Sequence, residues 1–469
     1  MDILGYHISF GYLFDLHTFV FICEILSIFA FIDIVSQKKR SPSSLVAWLT
    51  AIVLIPYLAV PLYFYIGIRK RRHTSVKPKI HMHRNPDELV AEFKHPISEV
   101  LIRSGMRKPT IDNTFKLYHD GIVAFHELME RIEKAEESIY MSTYVFQTDE
   151  TTNLISEALI KKAKQGVEVK LLIDAIGSFG LYVHQSRLKK MRQAGICVRF
   201  FMPIFQNPFK NAVNLRNHRK IYLFDKSIVL TGGMNLGDEY LGPNRNDNRW
   251  GDLLFSIKGH AFIHLYNLFV ADWQYATKEK LKRIIKIPKN DGNDIIQIAP
   301  SGPDVEIDAL FNSILCGVYN ATERVWIVTP YFIPSEELLR ALIIAYSKGV
   351  DVKLITPMHS NHKLADLGRS SYMQRLYDVG IDVCLLDKAM IHAKAILFDN
   401  SVMLGSVNVD FRSLFLNYEV ATFAYTENIV QEVESWMASL LANASHEMPE
   451  RGRIRKFGEN LVKIMAPLL

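Results

Sequence analysis

Histidine and lysine recur at a fixed spacing in two short phrases of the sequence, "HRKIYLFD" and "HAKAILFD". The shared pattern is HxKxxxxD, formed by His218, Lys220 and Asp225 in the first phrase and by His392, Lys394 and Asp399 in the second. An imidazole can act as a nucleophile or exchange a proton near neutral pH, and an ammonium group attracts an anion. The two phrases therefore predict two copies of a half-site that acts on an anionic group.

Two copies of the motif suit a reaction in which one alcohol replaces another on a phosphodiester. A nucleophile must approach phosphorus on one side while a proton donor assists the leaving oxygen on the other. One copy supplies one imidazole, whereas two copies that face each other supply both. We expect one neutral histidine to attack and one protonated histidine to donate, with lysines beside the charged oxygens.

The spacing within each phrase separates the aspartate from the histidine and lysine. On a strand, residues two apart project to the same face, so His218 and Lys220 point together. Each aspartate lies an odd number of positions beyond its histidine and would project to the other face. Although Asp225 and Asp399 belong to the catalytic motifs, we expect them to have a structural role, pairing with a nearby cation.

Small residues and an amide follow each motif. The first copy continues to Gly233 and Asn235, and the second to Ser406 and Asn408. Turns of this composition let backbone N–H groups and an amide side chain approach an anion closely. We predict that these four residues bind the substrate phosphate.

Each histidine also needs a partner that fixes its tautomer. Alignment of the two copies puts Asp252, in "NRWGDLLFSI", and Glu419, in "LNYEVATFAY", at matching positions on the next strand. We predict that these carboxylates orient the two histidines. Acidic residues that merely end two strands are the alternative.

Strands and helices alternate in the same order around both motifs. A strand, a helix and a second strand are predicted from "ESIYMSTYVF" to "GVEVKLLIDA", and again from "ERVWIVTPYF", through a helix capped by Ser335, to "GVDVKLITP". The first copy has a longer loop around "QNPFKNAVNLR". Conserved order with variable loops predicts an α/β fold of two duplicated α/β/α sandwich lobes, related by a pseudo-twofold axis.

An apolar region precedes the duplicated unit. Residues 45–68 carry no formal charge and are numerous enough to cross about 30 Å of hydrocarbon. Residues 9–35 are also apolar but contain Asp15 and Glu24. We predict a hairpin of two transmembrane helices. A cleaved signal peptide is the alternative for the first helix, although its basic region and cleavage site are missing.

Charge and cysteine content bear on orientation and assembly. Basic residues at 38–40 and 69–72 flank the second segment, and the larger cluster favours a cytoplasmic catalytic domain. The four cysteines lack paired or metal-ligand spacing, which fits a reducing compartment. A homodimer in which the first helices supply partners for Asp15 and Glu24 is left open by the sequence.

The paired phrases are HKD motifs, and residues 112–427 resemble the phospholipase D superfamily. Within it, the sequence is similar to bacterial cardiolipin synthases through "APSGP", "TPYFIPSEELL", "NVDFRSLFLNYE" and "MAPLL". The resemblance implies that two phosphatidylglycerol molecules become cardiolipin and glycerol through a phosphatidyl-histidine. It implies that His218 is the nucleophile and His392 the acid and base. It also implies a bacterial cytoplasmic (inner) membrane, with an anionic lipid surface as partner.

The sequence predicts five regions, which are a membrane anchor (1–72), a polar linker (73–111), two phospholipase D-like lobes (112–285 and 286–445) and an amphipathic tail (446–469). Apolar residues of the tail recur at three- and four-residue steps among basic ones. That pattern fits a helix at a lipid surface, or equally one packed on the catalytic domain.

We expect neither a metal nor another cofactor, because neither motif has HxH or HExxH spacing. The "HMH" at residues 81–83 has no acidic or cysteine partner beside it. A phospholipase D-type hydrolase and a membrane-bound nuclease are the alternative enzymes, and a scaffold is the alternative without activity. The membrane segments argue against nucleic acid as the substrate, and a scaffold needs neither imidazole.

Overall fold

A computed structural model of the chain describes residues 2–3, 6–7, 10–36, 42–63, 77–80, 88–203, 215–281, 290–305, 307–387, 390–450, 452 and 459. The helices are α1 (Phe10–Ser36), α2 (Pro42–Leu54), α3 (Pro56–Leu62), α4 (Pro96–Arg103), α5 (Gly121–Lys134), α6 (Glu150–Lys164), α7 (Phe179–Val183), α8 (Lys189–Gln193), α9 (Phe262–Thr277), α10 (Ala309–Asn320), α11 (Glu336–Ser347), α12 (Lys363–Asp378), α13 (Phe411–Phe415) and α14 (Glu427–Leu441).

The strands are β1 (Asp2–Ile3), β2 (Tyr6–His7), β3 (Thr110–Tyr118), β4 (Ser138–Thr143), β5 (Glu168–Asp174), β6 (Cys197–Phe201), β7 (Ile221–Phe224), β8 (Ile228–Gly232), β9 (Leu254–Lys258), β10 (Asp294–Ser301), β11 (Arg324–Val328), β12 (Phe332–Ile333), β13 (Asp351–Pro357), β14 (Asp382–Leu386), β15 (Ala395–Phe398), β16 (Ser401–Gly405), β17 (Val409–Asp410) and β18 (Glu419–Ala424). A short 3-10 helix covers Gln185–Leu188. The predicted α/β class is confirmed.

A 14-stranded sheet runs through both halves of the chain, in the order β14-β13-β11-β15-β16-β18-β10-β3-β9-β8-β7-β4-β5-β6. At its centre β3 pairs antiparallel with β10. At one end β4, β5 and β6 are parallel, and at the other β11, β13 and β14 are parallel. The order of strands is therefore the same on both sides of the β3–β10 pair.

Helices cover both faces of this sheet. Neighbouring residues of β5 belong to different apolar clusters, because side chains alternate across a strand: Leu172 joins a cluster with α9 and α14, whereas Leu171 joins one with α5 and α6. In β13, Ile355 and Leu354 divide in the same way, and Leu354 meets α10 and α11. The sheet is thus the middle of three layers.

Local sequence signals explain where the helices beside the site begin. Asp149 accepts a hydrogen bond from the backbone N–H of Thr152 at 2.9 Å and caps α6. Ser335 caps α11 as predicted, accepting from the N–H of Leu338 at 3.3 Å. These side chains satisfy backbone donors that have no partner inside the helix.

The predicted linker contains regular structure over residues 88–109. Helix α4 buries Ile97 and Leu101 in the core of the second half, and Val90 forms a bridge with Thr110. In the sequence, the short segment "PISEVLIR" lies among polar residues, so its apolar helix face is not evident from the pattern. Part of the predicted polar linker therefore has a helix and a β-bridge that pack on the second half.

The N-terminal helices differ from the predicted pair of spans. Residues 17–34 of α1 are long and apolar enough to cross a membrane, and α1 supplies the one such helix in the described chain. The second predicted span is interrupted at Ile55, between α2 and α3, because Pro56 lacks an N–H and starts a new helix. The side chains of Trp48 and Val60 are buried where the three helices meet.

Of the predicted amphipathic tail, the structure describes residues 446–450, 452 and 459. Glu459 is buried, and its carboxylate accepts a hydrogen bond from Ser370 at 2.7 Å.

Candidate active site

Both motif histidines lie just before a strand. His218 and Lys220 precede β7, and His392 and Lys394 precede β15. These residues lie just outside the strands themselves, but the expected alternation of side chains holds. Both histidines and both lysines line one cavity, whereas Arg219 points away from it into a buried cluster.

Backbone contacts bring each histidine to the other half of the chain. The N–H of His218 donates to the carbonyl oxygen of Tyr418 at 2.9 Å, and the N–H of His392 donates to that of Gly251 at 2.7 Å. Each carbonyl belongs to the residue just before one of the predicted carboxylates. The main chain therefore sets the position of each carboxylate beside the histidine of the opposite half.

The side chains complete these crossed pairs. Nδ1 of His392 lies 2.6 Å from Oδ2 of Asp252, and Nδ1 of His218 lies 3.2 Å from Oε1 of Glu419. Both carboxylates are buried. A carboxylate at Nδ1 holds the proton on that nitrogen and leaves Nε2 free for chemistry. The sequence alignment found the residues, but not that the pairs cross between halves.

The cavity between the histidines has a volume of about 630 Å³. Both halves contribute to its wall: Tyr144, Val145, Gln147, Ile176, Gly177, His218, Lys220, Asn235, Glu239, Tyr240 and Trp250 from the first, and Tyr331, Ile333, Asn361, His362, Leu364, Ala365, His392, Lys394, Asn408, Asp410, Phe411, Arg412, Ser413 and Asn417 from the second. Its size suits a polar headgroup and its immediate surroundings.

Burial dominates the electrostatics of the site. It lowers the pKa of His392 to about 4, with Lys394 acting in the same direction and Asp252 against it. Burial also lowers the pKa of His218, and Glu419 opposes that shift. Both imidazoles are therefore neutral at neutral pH until an anion enters.

The two lysines are affected in the same way. Burial lowers the pKa of Lys220 to about 8 and that of Lys394 to about 7, while nearby carboxylates oppose the shift. A phosphate between them would favour every protonated form and raise all four pKa values of the histidines and lysines.

Aromatic rings flank both histidines. The ring centroid of Tyr144 is 3.9 Å from that of His218. Tyr240 and Trp250 lie 5.3 Å and 5.4 Å from His392. The sequence motifs did not reveal these aromatic residues. The signal available was position, since Tyr144 follows a buried strand and Trp250 stands two residues before Asp252.

Two of the predicted phosphate ligands lie behind the carboxylates. Ser406 is buried, and its hydroxyl donates to Oε2 of Glu419 at 2.5 Å. A Cβ on Gly233 would come within 2.1 Å of Oδ1 of Asp252. Neither residue lines the cavity, because the next strand's carboxylate occupies that side. The phosphate-binding prediction for this pair is therefore wrong.

The two asparagines do reach the cavity. Oδ1 of Asn235 accepts a hydrogen bond from the N–H of Val145 at 3.2 Å. Asn408 is buried at the matching position, and its Oδ1 has no hydrogen-bond donor among the described residues. The amide of Asn408 thus has unused hydrogen-bonding capacity at the cavity wall.

The motif aspartates hold backbone and do not pair with cations. Asp225 accepts hydrogen bonds from the N–H groups of three consecutive residues, Glu136, Glu137 and Ser138. Asp399 does the same for Thr322, Glu323 and Arg324. The structural role is as expected, but the partners are backbone N–H groups where the chain enters β4 and β11, and not a cation. Neither aspartate lines the cavity.

A cluster of four buried charges lies next to the site. Arg219 donates to Asp272 at 2.9 Å and to Asp304 at 3.2 Å, and Lys77 pairs with both aspartates. Arg219 also donates to the carbonyl oxygen of Glu419 at 3.1 Å. This cluster, which no sequence motif revealed, ties the segment after the N-terminal helices to the backbone of the site.

In the described part of the chain, a group of residues that could ligate a metal ion lies away from the cavity. Asp382, Cys384 and His446 have donor atoms within 4.8 Å of one another, and none of them lines the cavity. The "HMH" at residues 81–83 lies outside the described residues.

Comparison with known proteins agrees with this geometry. A family model described as "Cardiolipin synthase, PLD-like domain" matches residues 128–271 and 314–441, which include both histidines and both carboxylates. The chain belongs to the cardiolipin synthase family of the phospholipase D superfamily. The resemblance inferred from the paired motifs is confirmed, and the chain is a phosphatidyltransferase of that superfamily.

Two cardiolipin synthases match this family member over nearly its whole length. It is 33% identical to a cardiolipin synthase of Clostridium perfringens (strain SM101 / Type A), over 92% of this chain and 95% of that one. It is 31% identical to the major cardiolipin synthase ClsA of Bacillus subtilis (strain 168), over 95% and 98%.

Two further matches concern the fold and the N-terminus. The structure of a phosphatidylserine synthase from Haemophilus influenzae is similar with a TM-score of 0.58 and 13% identity, over 79% of this chain and 97% of that one. A family model described as "Phospholipase_D-nuclease N-terminal" matches residues 25–67. Together with the apolar helix α1, that match indicates association with a membrane.

Proposed function

We propose that this family member transfers a phosphatidyl group from one phosphatidylglycerol to another, giving cardiolipin and glycerol. The observation that carries the proposal is the pair of imidazoles from opposite halves, each with its Nδ1 on a buried carboxylate, in one cavity with two lysines. Such a pair offers a nucleophile and a proton donor to one phosphodiester.

In the first step, Nε2 of His218 attacks phosphorus of the first lipid. The bond from phosphorus to the glycerol oxygen breaks, and His392 gives its Nε2 proton to that oxygen. Glycerol leaves, and a phosphatidyl-histidine remains on His218. The anionic phosphodiester itself favours the protonated form of His392 before this step, since an opposite charge raises the pKa of an imidazole.

In the second step, a headgroup hydroxyl of the second lipid attacks the same phosphorus. Neutral His392 takes its proton, the phosphorus–nitrogen bond breaks, and His218 is released. The number of phosphodiester bonds is unchanged, so no nucleotide is required. Water would attack the same intermediate and give phosphatidic acid, which is the hydrolase alternative.

Four cavity residues are suited to hold the phosphate through both steps. Lys220 and Lys394 supply positive charge, and Asn235 and Asn408 supply amides beside the histidines. Fixed donors in a buried site stabilise the charge that develops on the phosphate oxygens.

We also propose the larger arrangement of the chain. Residues 112–285 and 286–445 form two lobes about a pseudo-twofold axis, supported by the equal strand order on both sides of the β3–β10 pair. Residues 1–72 anchor the chain as a membrane hairpin, and residues 73–111 connect the anchor to the lobes. The tail at 446–469 contacts anionic lipid.

The catalytic lobes face the cytoplasm in this proposal, and a homodimer is compatible with it. The basic residues at 69–72 support the orientation through the excess of positive charge that cytoplasmic flanks carry.

The test uses the full chain in phosphatidylglycerol vesicles with a chelator present. Cardiolipin and glycerol should form in equal amounts, and the His218→Ala and His392→Ala variants should form neither. Phosphatidic acid as the main product would support a hydrolase, and absence of lipid turnover by the unaltered chain would refute the proposed function.

A further inference from the structure

Substrate size constrains where the cavity mouth lies. A cavity of about 630 Å³ accommodates headgroups, but not the acyl chains of two lipids as well. Long chains are held in a bilayer by the free energy of each buried methylene. If the proposed function is right, the chains stay in the bilayer while the headgroups enter the cavity. The mouth must then touch the membrane surface.

Helix α12 places an apolar side chain at this mouth. Leu364 lines the cavity, yet 62% of its surface is exposed. Beyond α3, no large apolar side chain of the described residues is more exposed. It stands in the first turn of α12, after the carboxyl end of β13.

The first half contributes a corresponding apolar face. Ile176 and Gly177 line the cavity, and α7 starts two residues later at Phe179. Phe179 is 51% exposed and Val183, one helical turn further on, is 49% exposed. Residues four apart lie on one face of a helix, so the two side chains form an uncovered apolar patch. Helix α7 follows β5, the strand that corresponds in sheet order to β13.

Basic residues accompany both apolar features. Lys363 is exposed beside Leu364, and Arg187 and Lys189 are exposed shortly after α7. Apolar side chains with nearby cations are the combination by which proteins insert into the surface of an anionic membrane. Phosphatidylglycerol, the substrate of the proposed function, is itself an anionic lipid.

We infer that Leu364, Phe179 and Val183 form a lip around the cavity mouth that inserts into an anionic bilayer. This inference rests on the proposed function and names the surface through which the site meets its lipids. The lip holds the mouth on the membrane, so that a headgroup moves from bilayer to cavity without its chains crossing water. The three side chains take no part in bond making.

The test compares one reaction on two forms of the same headgroup. The full chain is assayed on phosphatidylglycerol vesicles and on short-chain phosphatidylglycerol dissolved as monomers. Phe179→Ser and Val183→Ser, at two exposed positions that do not line the cavity, should each lower the rate on vesicles by about tenfold, because each removes an apolar side chain from the bilayer. Both should leave the rate on monomers unchanged. Val123→Ser, at a 51% exposed position on α5 away from the cavity, is the matched control.

A second readout does not depend on turnover. Vesicles of phosphatidylglycerol with brominated chains should quench Phe179→Trp and Leu364→Trp by more than they quench the unaltered chain, whose Trp48 lies in the proposed anchor, whereas Val123→Trp should add no quenching.

An equal loss of reaction rate on vesicles and monomers, or no loss of rate on vesicles, would overturn the inference that these side chains insert into the bilayer. Quenching no greater than that of the unaltered chain would overturn it as well. Failure of the unaltered chain on both substrates would instead reject the proposed function.

Discussion

Asp252 lies 2.6 Å from Nδ1 of His392, although 140 residues separate the two in the chain. The reciprocal pair, Glu419 and His218, is separated by a longer stretch of chain, with the histidine now in the first half and the carboxylate in the second. Each imidazole is thus oriented by the half that does not contain it. Neither half contains a complete acid–base unit, so the site exists only when the two halves are packed together.

The first prediction concerns Asp252→Asn. The carboxylate raises the pKa of His392 against burial and Lys394, so its loss should lower that pKa further below about 4. Less of the protonated acid is then present at any given pH. We expect kcat to fall about a hundredfold, and the acid form of His392 to require lower pH. Asp247→Asn, on an exposed aspartate nearby in the sequence, is the control and should change neither.

The second prediction distinguishes support of a carboxylate from contact with phosphate. Ser406→Ala removes a hydrogen bond to Glu419, so kcat should fall severalfold while KM stays unchanged. A raised KM with normal kcat would instead indicate a direct contact with substrate. Gly233→Ala should abolish activity, because the added methyl group would displace the carboxylate of Asp252.

The third prediction concerns stability. Asp399→Asn weakens hydrogen bonds to three backbone N–H groups and should lower the free energy of unfolding by about 1–3 kcal/mol. Activity per folded molecule should be retained. Burial alone would raise the pKa of Asp399, but these N–H groups lower it below its ordinary value. Its contribution is therefore present at neutral pH and lost as the pH falls through that lowered pKa.

Thermal unfolding of the unaltered chain and the variant, followed from neutral to acid pH, checks this prediction. The difference between them should shrink on the acid side. Normal stability with lost turnover would mean that Asp399 acts in catalysis.

The fourth prediction concerns Lys77, which is buried against Asp272 and Asp304. Lys77→Met leaves the cluster with an unbalanced buried negative charge and should cost about 3–5 kcal/mol. Lys94→Met, at an exposed position later in the same predicted linker, should change stability by less than about 0.5 kcal/mol. Thermal unfolding of both variants gives the comparison, and equal effects would show that the cluster does not hold this segment.

Local patterns in the sequence were sufficient for the half-sites. The spacing of His218 and Lys220 predicted that they share a face, and alignment of the copies found Asp252 and Glu419. The crossed pairing was not predictable, because it depends on contacts between distant segments. Ser406 was misassigned for the same reason, since its partner comes from the neighbouring strand.

The N-terminal part shows a different limit. Hydropathy alone predicted one continuous transmembrane helix across Pro56. In the structure, helix α2 ends just before this residue, because proline has no N–H to donate. Lys77 was read as part of a polar linker, since nothing nearby in the sequence reveals that two aspartates from other segments bury it.

The central claim is that His218 forms the covalent intermediate while His392 moves the proton. The His392→Ala variant should be mixed with a phosphatidyl ester of p-nitrophenol, whose leaving group needs no proton. The reaction should then be stopped under alkaline denaturing conditions and the peptides analysed by mass spectrometry. The account predicts a phosphatidyl adduct on His218 that accumulates because the base for the second step is missing, and none in His218→Ala. An adduct on another residue, or release of p-nitrophenol with no adduct, would contradict it.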